Sequence, residues 1–356
     1  MNTFNKLKEI VINARFLTQT VTGVQRFAIE ISKQLKKINP SIKFIAPYNI
    51  IHKETADELD AELIGKMKGH LWEQIDLPYY LVRNNNPLLL NLANTAPLTY
   101  QNKISTIQDL SFKHNPEWFS RLFAISYGFM VPKIINSSVH IFTDSNYVKN
   151  DINSYFKISS DKITYGYGAV ADIFNSTADN NILNHKGKYI LAVGSLDPRK
   201  NLAGLIEAFN SIKTDAMLII VGGKNNNFAK LNSDNITEKI KFTGYVDDEE
   251  LYSLYKGAKV FVYPSFYEGF GIPPLEAQSC GCPVIVSNVT SLPEVCGESA
   301  IYCDPNNIND IAEKISMVLS NKKLHQDLKQ KGFMNVKRFS WEKTALKFYK
   351  VLQNLR

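Results

Sequence analysis

Short apolar runs alternate along this chain with longer stretches whose apolar residues recur at helical spacing. The short runs predict strands at Glu9–Phe16, Ile42–Tyr48, Leu88–Leu92, Ile104–Gln108, Val139–Thr143, Ile163–Tyr167, Tyr189–Gly194, Met217–Val221, Ile240–Phe242, Val260–Tyr263 and Val284–Val286. The longer stretches predict helices at Val24–Ile38, Leu202–Ile212, Glu249–Lys256, Pro274–Ser279 and Ile308–Leu319. Strands that alternate with helices predict parallel sheets with covered faces, which is α/β architecture.

A polar stretch near the middle divides this pattern into two halves. Residues 175–187 show little apolar periodicity and predict a linker, although a surface loop inside one domain would look the same. The chain has 356 residues, and a domain has about 150. We therefore expect two doubly wound domains, 1–174 and 188–339. If they face each other, they would hold a ligand at the carboxyl ends of their strands.

Composition excludes several classes of protein. Apolar residues make up 44% of the chain and charged residues 21%, which excludes a disordered or fibrous protein. Four cysteines are too few for a disulfide scaffold in a chain of this length. The N-terminus lacks the apolar core of a signal peptide, and no run of about 18 apolar residues could span a bilayer. We expect a cytoplasmic protein.

The formal net charge of +7 is distributed unevenly. Residues 1–170 carry 19 basic and 14 acidic side chains, a net of +5. Residues 171–320 carry 12 basic and 18 acidic side chains, a net of −6. The last 36 residues carry 10 basic and 2 acidic side chains, a net of +8. Such charge suits nucleic acid, a membrane surface or an anionic substrate. Nucleic acid is the least favoured, because the chain has no basic stripe with interleaved aromatic residues and no reader motif.

The segment 260–283, VFVYPSFYEGFGIPPLEAQSCGCP, combines a buried strand, a loop and a short helix. Glu268 lies in the loop, and Glu276 lies on the helix after seven intervening residues. The loop glycines Gly269 and Gly271 allow close approach of the backbone to a ligand. The start of the helix offers N–H groups to an anionic or hydroxyl-rich ligand. A glycine- and proline-rich loop with one capping glutamate would have the same appearance.

A second segment, Tyr189–Asn201, places two adjacent cations before a predicted helix. The strand ends at Gly194, and Arg199 and Lys200 follow in the loop. Adjacent cations beside a helix N-terminus could neutralise a departing diphosphate. Taken alone, the pair fits two solvated surface cations at least as well.

Metal and dinucleotide sites find little support. The six histidines form no pair at zinc-ligand spacing, and Cys280 and Cys282 lie where cysteine packs as a small apolar residue. Gly23 stands alone after the first strand, so the GxGxxG turn of a dinucleotide-binding dehydrogenase is missing. We expect no metal and no cofactor.

Taken together, these segments resemble the retaining GT-B glycosyltransferases of family 4, in particular the mannosyltransferase-like branch of bacterial O-antigen assembly. The family's paired-glutamate motif matches YEGFGIPPLEA. Further similar stretches are GSLDPRKN, FTGYVDDEELYSLYKGA, GCPVIVSNVTSLPEVCG, FSW, TGVQRFAIEI, LWEQIDLP, NTAPL, DLSFKHNPEWFS and TDSNYVKNDI. The resemblance therefore covers nearly the whole chain. It implies two Rossmann-like domains facing across a cleft, with a C-terminal helix, 340–356, that crosses back to the first.

The resemblance assigns catalytic and donor-binding roles to four charged residues. Glu276 is expected to bind the ribose hydroxyls of a nucleotide sugar, and Glu268 the hydroxyls of the donor sugar. Arg199 and Lys200 are expected to stabilise the leaving diphosphate without a metal. Many relatives carry arginine where this chain has Ser195, so the role of Arg199 is less well matched than that of Lys200.

Other donor-binding positions follow from the same resemblance. Phe270, Gly271 and Ile272 are expected to offer backbone amides to the sugar or diphosphate. Tyr245 is expected near the base. Two glycines, Gly194 at the end of its strand and Gly23 at the first strand–helix turn, are expected near the donor.

Gln108 and Asp109 are the acceptor-side candidates. Many relatives have His-Asp-Leu where this chain has Gln108-Asp109-Leu110. Glutamine can donate and accept hydrogen bonds but cannot act as an imidazole base. Asp109 could act as a base or form a local turn.

The implied function is transfer of a hexose, with mannose or rhamnose favoured, with retained configuration. The donor would be GDP-mannose or another dTDP-, UDP- or GDP-linked hexose, and the acceptor a lipid-linked or saccharide chain in surface polysaccharide synthesis. A front-face route needs charge stabilisation and positioning, whereas a double displacement would need Glu268 as nucleophile. The alternatives are a GT-B epimerase or hydrolase and, outside enzymes, a basic nucleic-acid-binding protein.

The basic C-terminus leads to a further expectation about location. If the last 36 residues join the first domain, their +8 adds to its +5. The combined surface would then dock on an anionic membrane, at the inner face of the plasma membrane, where a lipid-diphosphate acceptor is found. A solvated helix face is the alternative for the same charge.

Overall fold

The structure is a computed structural model, and it describes residues 9–175, 187–195, 197–222 and 236–355. The chain divides into two compact units: unit 1 comprises Met1–Gly168 and Ser340–Arg356, and unit 2 comprises Ala169–Phe339. Residues 169–174, which we expected in the first domain, therefore belong to unit 2. The expected linker, 175–187, lies almost wholly outside the described residues.

Unit 1 contains, in the part of the chain that the structure describes, a seven-stranded parallel sheet. Its strands are β1 (Ile10–Asn13), β2 (Lys43–Ala46), β3 (Glu62–Leu63), β4 (Leu88–Asn91), β5 (Lys103–Thr106), β6 (His140–Thr143) and β7 (Ile163–Tyr165). Their order across the sheet is β3-β2-β1-β4-β5-β6-β7. The order reverses between β1 and β4, which makes this pair the switch point where open parallel sheets bind ligands.

Helices cover both faces of the unit 1 sheet. They are α1 (Gly23–Ile38), α2 (Lys53–Glu58), α3 (Gly69–Leu71), α4 (Leu77–Arg83), α5 (Ser111–His114), α6 (Arg121–Ser137) and α7 (Asn146–Phe156), with a π-helical turn at Trp72–Asp76 that joins α3 to α4.

Unit 2 contains six parallel strands among its described residues. They are β8 (Tyr189–Val193), β9 (Met217–Val221), β10 (Ile240–Gly244), β11 (Val260–Tyr263), β12 (Val284–Ser287) and β13 (Ala300–Cys303). The order is β10-β9-β8-β11-β12-β13, so the switch point lies between β8 and β11. The helices are α8 (Leu202–Ser211), α9 (Asp248–Gly257), α10 (Ile272–Ser279), α11 (Leu292–Cys296), α12 (Ile308–Ser320) and α13 (Lys322–Val336).

The last helix, α14 (Trp341–Asn354), belongs to unit 1. Phe348 stacks on Phe142 of β6 with ring centroids 3.8 Å apart, and Trp341 meets Phe27 of α1 edge-on at 5.7 Å. This confirms that the final helix returns to the first domain. The expectation that the whole basic tail does so is wrong, because α13, with four lysines of its own, belongs to unit 2.

The predicted strands all occur, and the structure adds β3 and β13 to them. Two Rossmann-like units with parallel sheets confirm the α/β prediction. No helix among the described residues is long and apolar enough to cross a membrane.

Candidate active site

The two motifs that the sequence singled out meet at the switch point of unit 2. Arg199 and Lys200 follow β8, and Glu268 follows β11, which is paired directly with β8. The carboxyl ends of two adjacent parallel strands lie at the same edge of a sheet, so the loops that follow them come together.

Hydrogen bonds fix the turn that carries the two cations. Residues Pro198–Lys200 form a 3₁₀ turn, and Asp197 Oδ1 accepts from the backbone N–H of Arg199 at 2.9 Å. Asn201 then adopts a left-handed conformation with φ of 53°. Its Nδ2 donates to Pro264 O at 3.1 Å and to Pro305 O at 2.7 Å, so this turn is tied to the loop after β11.

The loop that carries Glu268 is held by the segment before α11. Thr290 Oγ1 accepts from the N–H of Glu268 at 3.1 Å, and Ser291 Oγ lies 2.9 Å from both Glu268 O and Phe270 O. Thr290 has a φ of 58°, which is rare for a β-branched residue. The surrounding structure therefore over-determines this conformation, as it does at many functional sites.

The three charged side chains form one cluster, in which Glu268 is buried and the two cations are mostly buried. Lys200 Nζ donates to Glu268 Oε1 at 2.7 Å and to Tyr263 Oη at 2.5 Å. Arg199 Nη1 donates to Glu268 Oε2 at 3.4 Å and to Tyr267 O at 3.3 Å. The side chains of Arg199, Lys200 and Glu268 are 19%, 12% and 7% exposed. Two cations contact one carboxylate, so these three side chains together keep one positive charge.

Electrostatics keep this carboxylate ionised. Burial works to raise the pKa of Glu268, but Lys200 and Arg199 outweigh it, so the pKa lies below its ordinary value. Burial and the neighbouring Arg199 lower the pKa of Lys200 against the opposing effect of Glu268. Burial and the Glu268 charge raise the pKa of Tyr263 well above its usual range, so this phenol stays neutral.

Glu276 lies on α10 and is also buried. Its Oε2 accepts from Tyr255 Oη of α9 at 3.1 Å. Burial, and next the charge of Glu276, raise the pKa of Tyr255 well above its usual range, so the tyrosine remains a donor. Tyr255 thus orients the carboxylate for which the resemblance implies a role at ribose.

The predicted backbone-donor positions lie at the start of α10. Gly271 has a φ of 105°, and a Cβ there would meet Leu292 at 2.7 Å, so the turn before Ile272 requires glycine. Phe270 is buried and packs edge-on against Phe339 at 5.7 Å. Pro273 and Pro274 in the first turn of α10 have no N–H, so Ile272 is the residue among its first three that can offer one to an anionic or hydroxyl ligand.

Three glycines align at the carboxyl ends of β8, β9 and β10. The N–H of Gly222 donates to Gly244 O at 2.9 Å, and a Cβ on Gly222 would lie 1.9 Å from Gly194 O. Glycine is therefore required for the close approach of these turns. Tyr245, which follows Gly244, is 75% exposed.

The remaining predicted residues lie in unit 1. Gly23 opens α1, and a Cβ there would meet nothing within 4 Å. Gln108 is buried, its backbone N–H donates to Asn94 Oδ1, and its Nε2 has no partner within the described residues. Asp109 Oδ1 accepts from the N–H and Oγ of Ser111 at 3.0 and 2.7 Å, so it forms a local turn.

A buried polar network at the unit 1 switch point was not predicted. Glu73 Oε1 accepts from Asn13 Nδ2 at 2.8 Å and from Arg15 Nε at 3.2 Å. Arg15 Nη2 also donates to Thr95 Oγ1 at 2.8 Å. In the sequence, the one visible sign of this network is Glu73 in LWEQIDLP, and a single glutamate there looks like an ordinary charge on a helix surface. Tyr255, Tyr263 and Thr290 were also missed: Tyr263 ends an apolar strand, Tyr255 lies on a helix and Thr290 lies in a loop, and none of these stretches has a chemical signature.

Comparison with known proteins places these observations in a family. Residues 175–335 match the model of the glycosyl transferases group 1. The O-antigen chain mannosyltransferase B of Escherichia coli is 32% identical over 261 residues, which are 69% of this chain and 68% of that protein. The chain belongs to the group 1 glycosyltransferases.

One further relative and one solved structure extend the likeness over the chain. The O-antigen chain mannosyltransferase RfbU of Salmonella typhimurium is 31% identical over 319 residues, 83% of this chain and 87% of that protein. Anabaena HepE, solved in complex with UDP and glucose, superposes with a TM-score of 0.77 at 14% identity, covering 98% of this chain and 100% of that one. The fold is GT-B, and this chain is a glycosyltransferase.

The described residues contain neither a metal-binding cluster nor a reactive cysteine outside the site above. No group of three or more His, Cys, Asp or Glu side chains there could hold a metal ion. The four cysteines are free thiols, and burial raises the pKa of Cys296 and of Cys303 to about 12. Thiols of this kind are unreactive at neutral pH.

Proposed function

We propose that this glycosyltransferase moves a hexose from a nucleotide sugar to a lipid-linked or saccharide acceptor in surface polysaccharide synthesis. The cluster of Arg199, Lys200 and Glu268 at the unit 2 switch point carries the proposal. The relatives named as O-antigen mannosyltransferases favour mannose as the transferred hexose. The donor would be GDP-mannose or another dTDP-, UDP- or GDP-linked hexose.

The two cations would serve the leaving group. When the bond between the anomeric carbon and the diphosphate oxygen breaks, its electron pair stays on the diphosphate. Lys200 and Arg199 are mostly shielded from solvent, so their attraction for that charge is stronger than it would be in water. They would supply without a metal the stabilisation that a divalent cation gives elsewhere.

The contacts of Glu268 favour a front-face route with retention over a double displacement. Both carboxylate oxygens bind a cation, so the group is a weak nucleophile. In the front-face route the acceptor hydroxyl attacks from the side that the diphosphate leaves, and its proton passes to a departing diphosphate oxygen. Glu268 would then orient the hydroxyls of the donor sugar.

The rest of the donor would bind along the same edge of unit 2. Glu276, oriented by Tyr255, would accept from the ribose hydroxyls, and the amides of Phe270, Gly271 and Ile272 would bind the sugar or diphosphate. Gly194 allows close approach of the donor, and Tyr245 is exposed where the base is expected.

The acceptor would bind to unit 1, near Gln108 and Asp109. The turn that Asp109 forms with Ser111 supports a structural role for this carboxylate, and Gln108 offers an amide without basicity. With a lipid-linked acceptor, the enzyme would act at the inner face of the plasma membrane as a peripheral protein. No observation favours an epimerase, a hydrolase or a nucleic-acid-binding protein.

Calorimetric titration of the full chain with GDP, UDP and dTDP tests the donor site. We expect one nucleotide to bind best, and Glu276→Gln to weaken it by about tenfold or more, because a charged acceptor for two hydroxyls is lost. Glu313→Gln, on the exposed surface of α12, is the matched control. Unchanged affinity in the Glu276 variant would remove the ribose role.

A further inference from the structure

Two helical segments of unit 1 cover the same face of its sheet. Aligned neighbours in adjacent parallel strands point to the same side, as do residues two apart in one strand. Val11 is aligned with Leu89 and Leu89 with Lys103, and two residues on from Lys103 the row continues through Ser105, Ile141 and Ile163. The α4 segment packs on the first two of these residues, and α6 packs on the last two. We call this side of unit 1 the α4–α6 face.

The outer surface of the α4–α6 face is apolar. On α6, Leu122, Ile125 and Phe129 are 77%, 72% and 57% exposed and lie on one helical side at spacings of three and four residues. The segment from α3 to α4 exposes a second row at spacings of four, four and three: Leu71, Ile75, Tyr79 and Val82. Exposed apolar patches of this kind mark interaction surfaces.

Cations lie over the exposed aromatic rings of this face. Lys133 Nζ lies 3.8 Å from the ring centroid of Phe129, and Arg83 Cζ lies 4.3 Å from that of Tyr79. The helix α6 also begins with Arg121 and contains no Asp or Glu. Apolar side chains with cations at their edges match an interface where acyl chains meet anionic headgroups.

We propose that the α4–α6 face is the surface by which this enzyme docks on an anionic lipid bilayer. The proposal rests on the proposed function, since it gives the lipid-linked acceptor its membrane. A second copy of the chain fits this face less well. A twofold contact through α6 would bring Arg121 and Lys133 of one copy close to the same cations of the other, and α6 has no Asp or Glu to pair with them.

The C-terminal helix lies on the opposite side of the sheet. Phe142 follows Ile141 in β6 and so points to the other face, where it stacks on Phe348 of α14. The docking surface is therefore assigned to the α4–α6 face, and not to the basic C-terminal helix that the charge distribution alone suggested.

Co-sedimentation with vesicles separates the two surfaces. The vesicles are phosphatidylcholine alone, or with about a third phosphatidylglycerol. We expect the full chain to bind the anionic vesicles, and the triple variant Leu122→Gln, Ile125→Gln, Phe129→Gln to bind at least about tenfold more weakly. The matched control, Lys343→Gln with Lys350→Gln on α14, should bind as the wild type does.

Several outcomes would overturn the proposal. One is wild-type binding by the α6 variant, and another is a loss confined to the α14 variant. A third is a wild-type dimer in sedimentation velocity that the α6 substitutions dissociate, since the face would then belong to a second copy. Nucleotide binding by calorimetry is measured on the same samples. If the wild-type chain binds nucleotide but no vesicle, the docking proposal is wrong and the proposed function still stands. If it binds vesicles but transfers no sugar, the proposed function is wrong.

Discussion

Lys200 lies between two acceptors, Glu268 and Tyr263, and its Nζ is 4.8 Å from the ring centroid of Tyr263. An ammonium group has three N–H donors, so these two bonds leave one for a phosphate oxygen. Because the tyrosine stays neutral, it orients the lysine without reducing the positive charge of the cluster. The side chain is thus positioned for an anion before the donor arrives, which lowers the cost of reorganisation.

The lowered pKa of Lys200 predicts an early alkaline limb in the pH profile of kcat/KM. Donor binding needs the protonated amine, and burial makes the free enzyme lose that proton at a lower pH than an ordinary lysine does. As pH rises through this pKa, kcat/KM should fall. Glu268, whose pKa is lowered, stays ionised through neutral pH and adds no acidic limb there.

The variant Lys200→Arg is the check on that limb, because a guanidinium stays charged at every accessible pH. We expect lower activity but no alkaline limb below the range where the fold itself is lost, as followed by thermal unfolding. If the variant keeps the wild-type limb, Lys200 is not the group that titrates.

At this scale the sequence predicted the charged members of the site and missed the neutral ones. Adjacent cations after a strand and a glutamate in a glycine-rich loop have a chemical signature. Tyr263 ends an apolar strand and Tyr255 lies on a helix, where an aromatic residue indicates packing. Only the fold brings their hydroxyls to Lys200 and Glu276.

A substitution at the start of α1 tests whether the donor approaches the backbone of unit 1 there. Gly23 has no atom near its missing Cβ, and alanine is a better helix former. Gly23→Ala should therefore leave thermal unfolding unchanged or raise its midpoint. If the donor phosphate approaches this backbone, KM for the donor should rise by about tenfold. An unchanged KM would show that this glycine does not face the donor.

The helix α14 contributes to the core of unit 1. Phe348 is fully buried and stacks on Phe142, so Phe348→Ala should lower the free energy of unfolding by about 3–5 kcal/mol. Leu346 on the same helix is 41% exposed, so Leu346→Ala should change the free energy of unfolding by less than about 1 kcal/mol. Denaturant unfolding measures both, and equal effects would mean that α14 does not pack as described.

Strands were predicted better than helices in unit 1, for physical reasons. Parallel strands are buried on both faces, so they appear in the sequence as continuous apolar runs. The missed β3 has only two residues, Glu62–Leu63. The missed α6 is apolar on several sides and contains Pro132, which hides its helical period.

For the whole molecule, the net charge of +7 is a poor guide to what the protein binds. The fold divides the basic C-terminus between the two units and leaves α14 on the side of the sheet opposite the apolar α4–α6 face. A surface with few charges therefore became the best candidate for membrane contact. Charge counts along the sequence could not predict this, because they ignore which face each helix covers.

The central claim is that the cluster around Lys200 drives sugar transfer, and the transfer rate tests it most directly. The assay measures kcat for transfer of radiolabelled sugar from the best nucleotide donor to lipid-linked acceptors. Lys200→Ala should lower kcat by about 100-fold or more, with thermal unfolding near wild type. Lys188→Ala, which removes an exposed cation of the same unit, should stay within about twofold. Wild-type turnover by the Lys200 variant would contradict the account.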